Sequence, residues 1–244
     1  MGKKRKSVTR KKKIRRQRGG GSPFFQDAYT ITLDSHPERW KRMSDFASKA
    51  GIDLKKWPGI VIKKEELDTL PPQGVGTTTY KDRSGKIFNL GVIGAFLAHR
   101  NLYNHIVKEG GGKMGTFISE DDIHIEPDFY TKLAAVEKEI PADWDIIFLD
   151  KNIPTVQGKK ISEHVVKLDK DITATKNWGI WSYIIKNSSV ATKVLPCMEH
   201  MMDVPDIQLA RFADRINMYL ISPSITFGDP DTAFKSVVTE NDTK

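Results

Sequence analysis

The stretch Thr116-Phe-Ile-Ser-Glu-Asp-Asp-Ile-His-Ile-Glu-Pro-Asp-Phe129 decides how the rest of the chain is read. Thr116 to Ser119 has the character of a buried strand, and it runs straight into three consecutive carboxylates, Glu120, Asp121 and Asp122. Adjacent acids repel one another and cost stability unless a cation or hydrogen-bond donors neutralise them, and hard divalent cations take oxygen ligands of this kind. In open α/β sheets ligands bind beyond the carboxyl ends of strands, where this triplet and Asp34 both fall. Two readings stand for the triplet taken alone: a metal or ligand site, which is the economical one, and an acidic turn or the first turn of a helix.

Outward from this segment, β-branched runs alternate with helical patterns. Tyr29-Thr-Ile-Thr-Leu33 reads as a strand ending at Asp34, and Pro37 opens a helix whose Trp40, Met43, Phe46 and Ala47 recur at spacings of three and four before Gly51. A second strand is expected near Gly59 to Ile62. Residues 71–89, rich in Pro, Gly and Thr, read as a long loop. Leu90 to Glu109 carries one apolar stripe and stops at Gly110-Gly-Gly112. Pro127 opens a helix to about Glu139, and Trp144 to Leu149 is a continuous apolar run suited to a buried strand. Further elements are expected as a strand near Trp181–Ile185, helices over Ser188–Met198 and Ile207–Asp214, and a strand over Met218–Ile221. Such alternation argues for an α/β domain with a largely parallel sheet covered on both faces.

The charge of the chain is divided. Eleven of its 39 basic residues lie in residues 1–18, where there is no acid, which leaves 28 against 31 acids and a body of about −3 under a total of +8. A block of like charge cannot bury apolar surface, so 1–22 reads as a disordered basic tail with a Gly linker, 23–230 as the domain and 231–244 as a flexible C-terminal tail. KKRK at 3–6 and KKKIRR at 11–16 fit nuclear import or phosphate contact with nucleic acid or another anionic surface, without base readout. The lone Cys197 excludes an intramolecular disulfide and a Cys-rich zinc module. The apolar stretch Leu90–Ala98 is far short of the ~20 residues that span a bilayer. No secretory leader and no terminal retention tetrapeptide are visible, so a cytoplasmic protein is expected, with the tail as a nuclear-targeting arm.

Four segments in register resemble glycosyltransferase family 25, which includes lipooligosaccharide and procollagen galactosyltransferases. They are YTITLDSHPERWKRM (29–43), LGVIGAFLAHRNLYNHIV (90–107), TFISEDDIHIEPDF (116–129) with the WDIIFLD that follows, and WSYIIK (181–186). The resemblance covers roughly residues 27–225. It departs from the family pattern at Ser35 and His36, where the family carries basic residues, at Val92, where it often has an acid, and at Ala98, where it has Ser before His.

The resemblance implies a GT-A-like nucleotide-sugar transferase domain and an inverting, metal-dependent transfer of a hexose. The donor would be UDP-galactose or UDP-glucose, and the acceptor a glycan or protein of a bacterial or viral cytosolic system. A leaving nucleoside diphosphate develops negative charge, which Mn²⁺ or Mg²⁺ can neutralise. Glu120 and Asp122, two apart in extended chain and so on one face, are the expected metal ligands. Thr32, Leu33, Arg39, Gly94, His99 and Asp121 are the expected donor-binding residues, with Arg39 on the phosphates. Inversion needs a base for the acceptor hydroxyl. Asp206 is the first candidate and Asp203 the second, helix capping being the competing role for Asp206. His124 could approach the metal, and Trp178 and Trp181 around Gly179 leave a sugar-stacking role open. The rival reading is a catalytically degenerate transferase-like module tethered to nucleic acid by its tail.

Overall fold

The protein is described by a computed structural model over residues 22–70, 80 and 87–228. The basic tail through residue 21, most of the expected 71–89 loop and the C-terminal stretch from 229 lie outside the described residues.

The first strand, β1 (Asp27–Thr32), leads to α1 (Pro37–Ala50). Pro37 sits in the first turn, where its missing N–H costs nothing, and Gly51 closes the helix at φ 75°. β2 (Leu54–Pro58) follows and pairs in parallel with β1, Ala28 opposite Leu54 through Thr32 opposite Pro58. The strand thus lies earlier than the expected Gly59–Ile62. Lys55 and Lys56 on this sheet edge hide it from a search for apolar runs, and Trp57 anchors it edge-on against Tyr29 at 5.9 Å.

α2 (Leu90–Glu109) is capped by Asn89, whose side chain accepts the Gly91 N–H at 2.7 Å. β3 (Gly115–Glu120) carries the acidic triplet at its end, followed by the short β4 (Ile123–Ile125) and α3 (Phe129–Val136). β5 (Ile146–Asp150) is buried throughout. β6 (Gly158–Lys160) and β7 (Val165–Leu168) form an edge that the sequence reading did not contain. β8 (Ser182–Lys186) leads into a helical segment built of α4 (Asn187–Ser189), a wide π turn (Val190–Val194) and α5 (Leu195–Cys197). Pro196, which cannot supply an N–H to the preceding turn, accounts for the widening. α6 (Pro205–Ala210), β9 (Met218–Ile221) and β10 (Thr226–Gly228) complete the domain, β10 pairing with β4.

The main sheet has eight strands in the order β2-β1-β3-β8-β5-β9-β7-β6. Six run one way, while β8 and β7 run opposite. The expected α/β domain is therefore present, but its sheet is mixed and not mostly parallel: three neighbouring pairs are parallel and four are antiparallel, because β8 and β7 each reverse direction between their neighbours. β8 lies antiparallel between β3 and β5, so its first residues stand beside the last residues of both neighbours. Successive residues of the central strands point to opposite faces. Ile118, Ile146, Phe148, Tyr183, Ile185 and Leu220 pack under α2 and the 187–197 segment. Phe117, Ile147, Leu149, Ile184, Tyr219 and Ile221 pack with Met43 of α1 and Phe129 and Leu133 of α3. Both faces are covered, which leaves the carboxyl ends of β1, β3 and β5 as the open edge.

Candidate active site

Two clefts open at that edge and share Ala95 and Glu120. The first lies among the end of β1, the chain after β2, the end of β3 and α2. One wall is apolar, made by Ile31 and by Ile60, Val61 and Ile62 in the extended chain after β2. Thr32, Leu33, Arg39, Glu120, Asp121 and Asp122 line the cleft too, together with Gly91, Ala95 and Ala98 of α2. These small residues let the helix approach. Gly94, one turn along, is pressed so closely on the Ile60 carbonyl that a Cβ would stand 2.1 Å from its oxygen. Gly94 therefore shapes the cleft from behind and does not line it.

The three acids are treated differently by their surroundings. Asp121 is buried and takes a 2.6 Å ion pair from Arg39, itself 5% exposed, and Arg42 donates to the Asp121 backbone carbonyl. Arg39 is thus a buried cleft residue and no solvated helix charge. Burial pushes the Asp121 carboxyl above its ordinary range, with the Arg39 charge opposing. Asp122 is perturbed further, up to about 7, chiefly by burial and then by the charges of Glu120 and Asp121. Its Oδ1 is buried without a hydrogen-bond partner among the described residues.

Glu120 ends a chain of polar groups in the core. Tyr103 and Tyr183 share a hydrogen bond at 2.7 Å, Tyr183 meets His99 Nδ1 at 2.9 Å, and His99 Nε2 lies 3.5 Å from Glu120 Oε1. His99 is fully buried and stands between the core tyrosines and Glu120 at the first cleft, a placement its position on an apolar helix does not reveal. His124 turns away from the acids and packs on Phe46, with ring centroids 4.3 Å apart.

The second cleft exists because β8 enters from the opposite direction and brings Trp181 to the end of β3, where its carbonyl accepts the Glu120 N–H at 2.8 Å. Val92, Asn152, Trp178, Trp181, Asp203 and Asp206 line it. Trp178 is 42% exposed, an unusual state for so large an apolar surface. Asp206 lies in the first turn of α6, but the cap position belongs to Val204, and the Asp206 carboxylate instead accepts the Gly179 N–H at 2.7 Å. Asp203 is held by two nitrogens of Arg211 and by the Val204 N–H. The structure thus gathers Thr32, Leu33, Arg39, Glu120, Asp121 and Asp122 around one cleft and Asp203 and Asp206 around the other, with His99 and Gly94 supporting the first from behind. Lys151 and Asn152, just past β5, escaped the sequence reading because nothing local separates them from a solvated turn.

The pattern of the family described as glycosyltransferase family 25 (LPS biosynthesis protein) matches residues 25–207. The chain belongs to glycosyltransferase family 25. Among curated relatives, the probable inactive glycosyltransferase 25 family member 3 of Bos taurus is 26% identical over 173 residues, covering 66% of this chain and 27% of that protein. Procollagen galactosyltransferase 1 of Danio rerio is 26% identical over 166 residues, again 66% of this chain and 27% of that protein. The inactive family member 3 of Homo sapiens is 25% identical over 139 residues, 52% of this chain and 22% of that protein. This family 25 chain therefore spans about a quarter of the length of the relatives it matches. No helix among its described residues is long and apolar enough to cross a membrane.

Proposed function

We propose that this family 25 chain transfers a hexose, galactose or glucose, from a UDP-sugar to a hydroxyl of a glycan or protein acceptor, with inversion at the anomeric carbon. The observation that carries the reading is the pair of clefts meeting at Glu120, one lined by isoleucines, acids and an arginine, the other by tryptophans and aspartates. The apolar wall of Ile31 and Ile60 to Ile62 suits a nucleobase. Arg39, fixed against Asp121, places a cation on the side where the diphosphate leaves. In the second cleft Trp178 offers a face to an acceptor sugar, and Asp206 is the base that takes the acceptor's hydroxyl proton as the oxygen attacks. Asp203, committed to Arg211, is less suited to that role.

The donor set fits a hard divalent cation in part. Among the described residues Asp122 offers a buried, unpartnered carboxylate oxygen and Glu120 a second carboxylate, yet no group of three or more His, Cys, Asp or Glu side chains converges there for a metal. Two protein carboxylates with substrate phosphates and water completing the shell is an ordinary arrangement for Mg²⁺. Glu120 and Asp122 would hold Mn²⁺ or Mg²⁺, and a bound ion would neutralise charge developing on the leaving diphosphate.

A donor screen following UDP release with and without Mn²⁺, on wild type and Asp206→Asn, tests the proposal. Metal-dependent release with one donor, lowered about 10³-fold in the variant, is expected. A wild type that turns over no nucleotide sugar contradicts it and favours the second reading, a degenerate module carried by its basic tail. Relatives named inactive and the departures at Ser35, His36, Val92 and Ala98 support that alternative. Nucleic-acid binding that vanishes on deletion of residues 1–22 would be its signature.

A further inference from the structure

Lys151 follows the last residue of β5 and is 2% exposed. Its ammonium stands 3.9 Å from the centroid of the Phe148 ring and donates to the Gly179 carbonyl. Among the described residues it makes no ion pair within 4 Å, although the charges of Asp206 and Asp150 reach it. Burying an ammonium with so little compensation is expensive, and burial pulls this one down to about 8. Such a group calls for a role beyond stability.

Its hydrogen-bond partner suggests one. The same Gly179 that receives Lys151 on its carbonyl gives its N–H to Asp206 Oδ2 at 2.7 Å. The preceding carbonyl, of Trp178, accepts the Asn152 N–H at 3.0 Å. Gly179 has φ +94°, and a Cβ there would meet the Trp181 ring at 3.2 Å and the Asn152 nitrogen at 3.3 Å. Two consecutive residues behind β5 thus clamp the Trp178–Gly179 stretch from one side while Asp206 holds it from the other.

We propose that Lys151 is a positioning residue which, through Gly179, sets the place of the Asp206 carboxylate and of the Trp178 face in the second cleft. This rests on the reading of that cleft as the acceptor site and of Asp206 as the base. It predicts that stability and activity part company when the ammonium is removed, because an apolar side chain of similar length satisfies this pocket better than a buried cation does.

The test uses the full chain with Lys151→Met, Asp206→Asn and the double variant. For Lys151→Met, kcat should fall on the order of 10- to 100-fold, with KM for the UDP-sugar unchanged and the melting temperature equal to or above wild type. An unchanged kcat, or a loss of activity accompanied by a matching fall in melting temperature, overturns the proposal. Thermal unfolding gives a second readout that needs no turnover. The melting shift of the double variant should differ from the sum of the single shifts, since both side chains act on one residue, and additive shifts overturn the latch. A wild type without transferase activity would remove the functional reading while the coupling still decides the latch.

Discussion

Asp145 and Asp122 are both aspartates at the ends of central strands, and the sheet treats them in opposite ways. Asp145 precedes β5 at the closed edge and is 2% exposed. Ser189 Oγ donates to it at 2.5 Å, Lys193 reaches both of its oxygens at 2.9 and 2.7 Å, and the Asn217 N–H donates at 2.8 Å. Asp122 follows β3 at the open edge, with one buried oxygen unpartnered among the described residues and two acids as neighbours. A buried carboxylate supplied with donors belongs to the architecture. One that burial and two neighbouring acids raise to about 7 is disfavoured as an anion where it stands, and it lies in the first cleft.

Substitution should separate the two. Asp122→Ala is expected to lower metal-dependent UDP-sugar turnover on the order of 10³-fold, the equivalent of about 4 kcal/mol in the barrier. Its melting temperature should not fall, because the removed carboxyl is disfavoured where it stands. Asp145→Ala should do the reverse, costing about 2–3 kcal/mol in urea unfolding by leaving Ser189 Oγ and the Asn217 N–H without their acceptor. An Asp145→Ala protein of wild-type stability would dissolve the comparison.

Lys151 sharpens it from the cationic side. Its pKa in the fold lies below the ordinary 10.5, so between about pH 8 and 10.5 the native protein binds fewer protons than the unfolded chain, and stability rises with pH. Unfolding of wild type against Lys151→Met across that window should show the rise only in wild type, up to ~3 kcal/mol at full extent. The smallest effect belongs to the half-buried pair of Glu139 and His164, whose ring lies 2.7 Å away and holds the Glu139 carboxyl down at about 2. Its contribution is present above the ordinary 4.5 and is lost as pH falls toward 2. Glu139→Gln should flatten that acid limb slightly in a pH series of melting curves.

Which parts of this were legible from residues alone follows from where the physics is local. The bounds of α1 were readable because Pro37 and Gly51 act on the backbone at their own positions, and the acidic strand end because like charges in sequence are neighbours in space. Neither the antiparallel direction of β8 nor the edge made by β6 and β7 leaves a local mark, since apolar runs look the same whichever way they run. The second cleft depends on that direction and was therefore hidden, though Asp206 and Trp178 could be singled out. The family departures are also easier to place in the fold. Asn89 supplies the α2 cap, and Val92 turns a wall of the second cleft apolar.

The central claim is that the acid-rich end of β3 is a donor site that needs a divalent cation. Calorimetric titration of UDP into the full chain, with and without Mn²⁺, on wild type and on Asp122→Ala tests it without requiring turnover. Binding that appears only with Mn²⁺ and only in wild type is the predicted result. UDP binding that is indifferent to the metal, or that Asp122→Ala retains in full, would contradict the account.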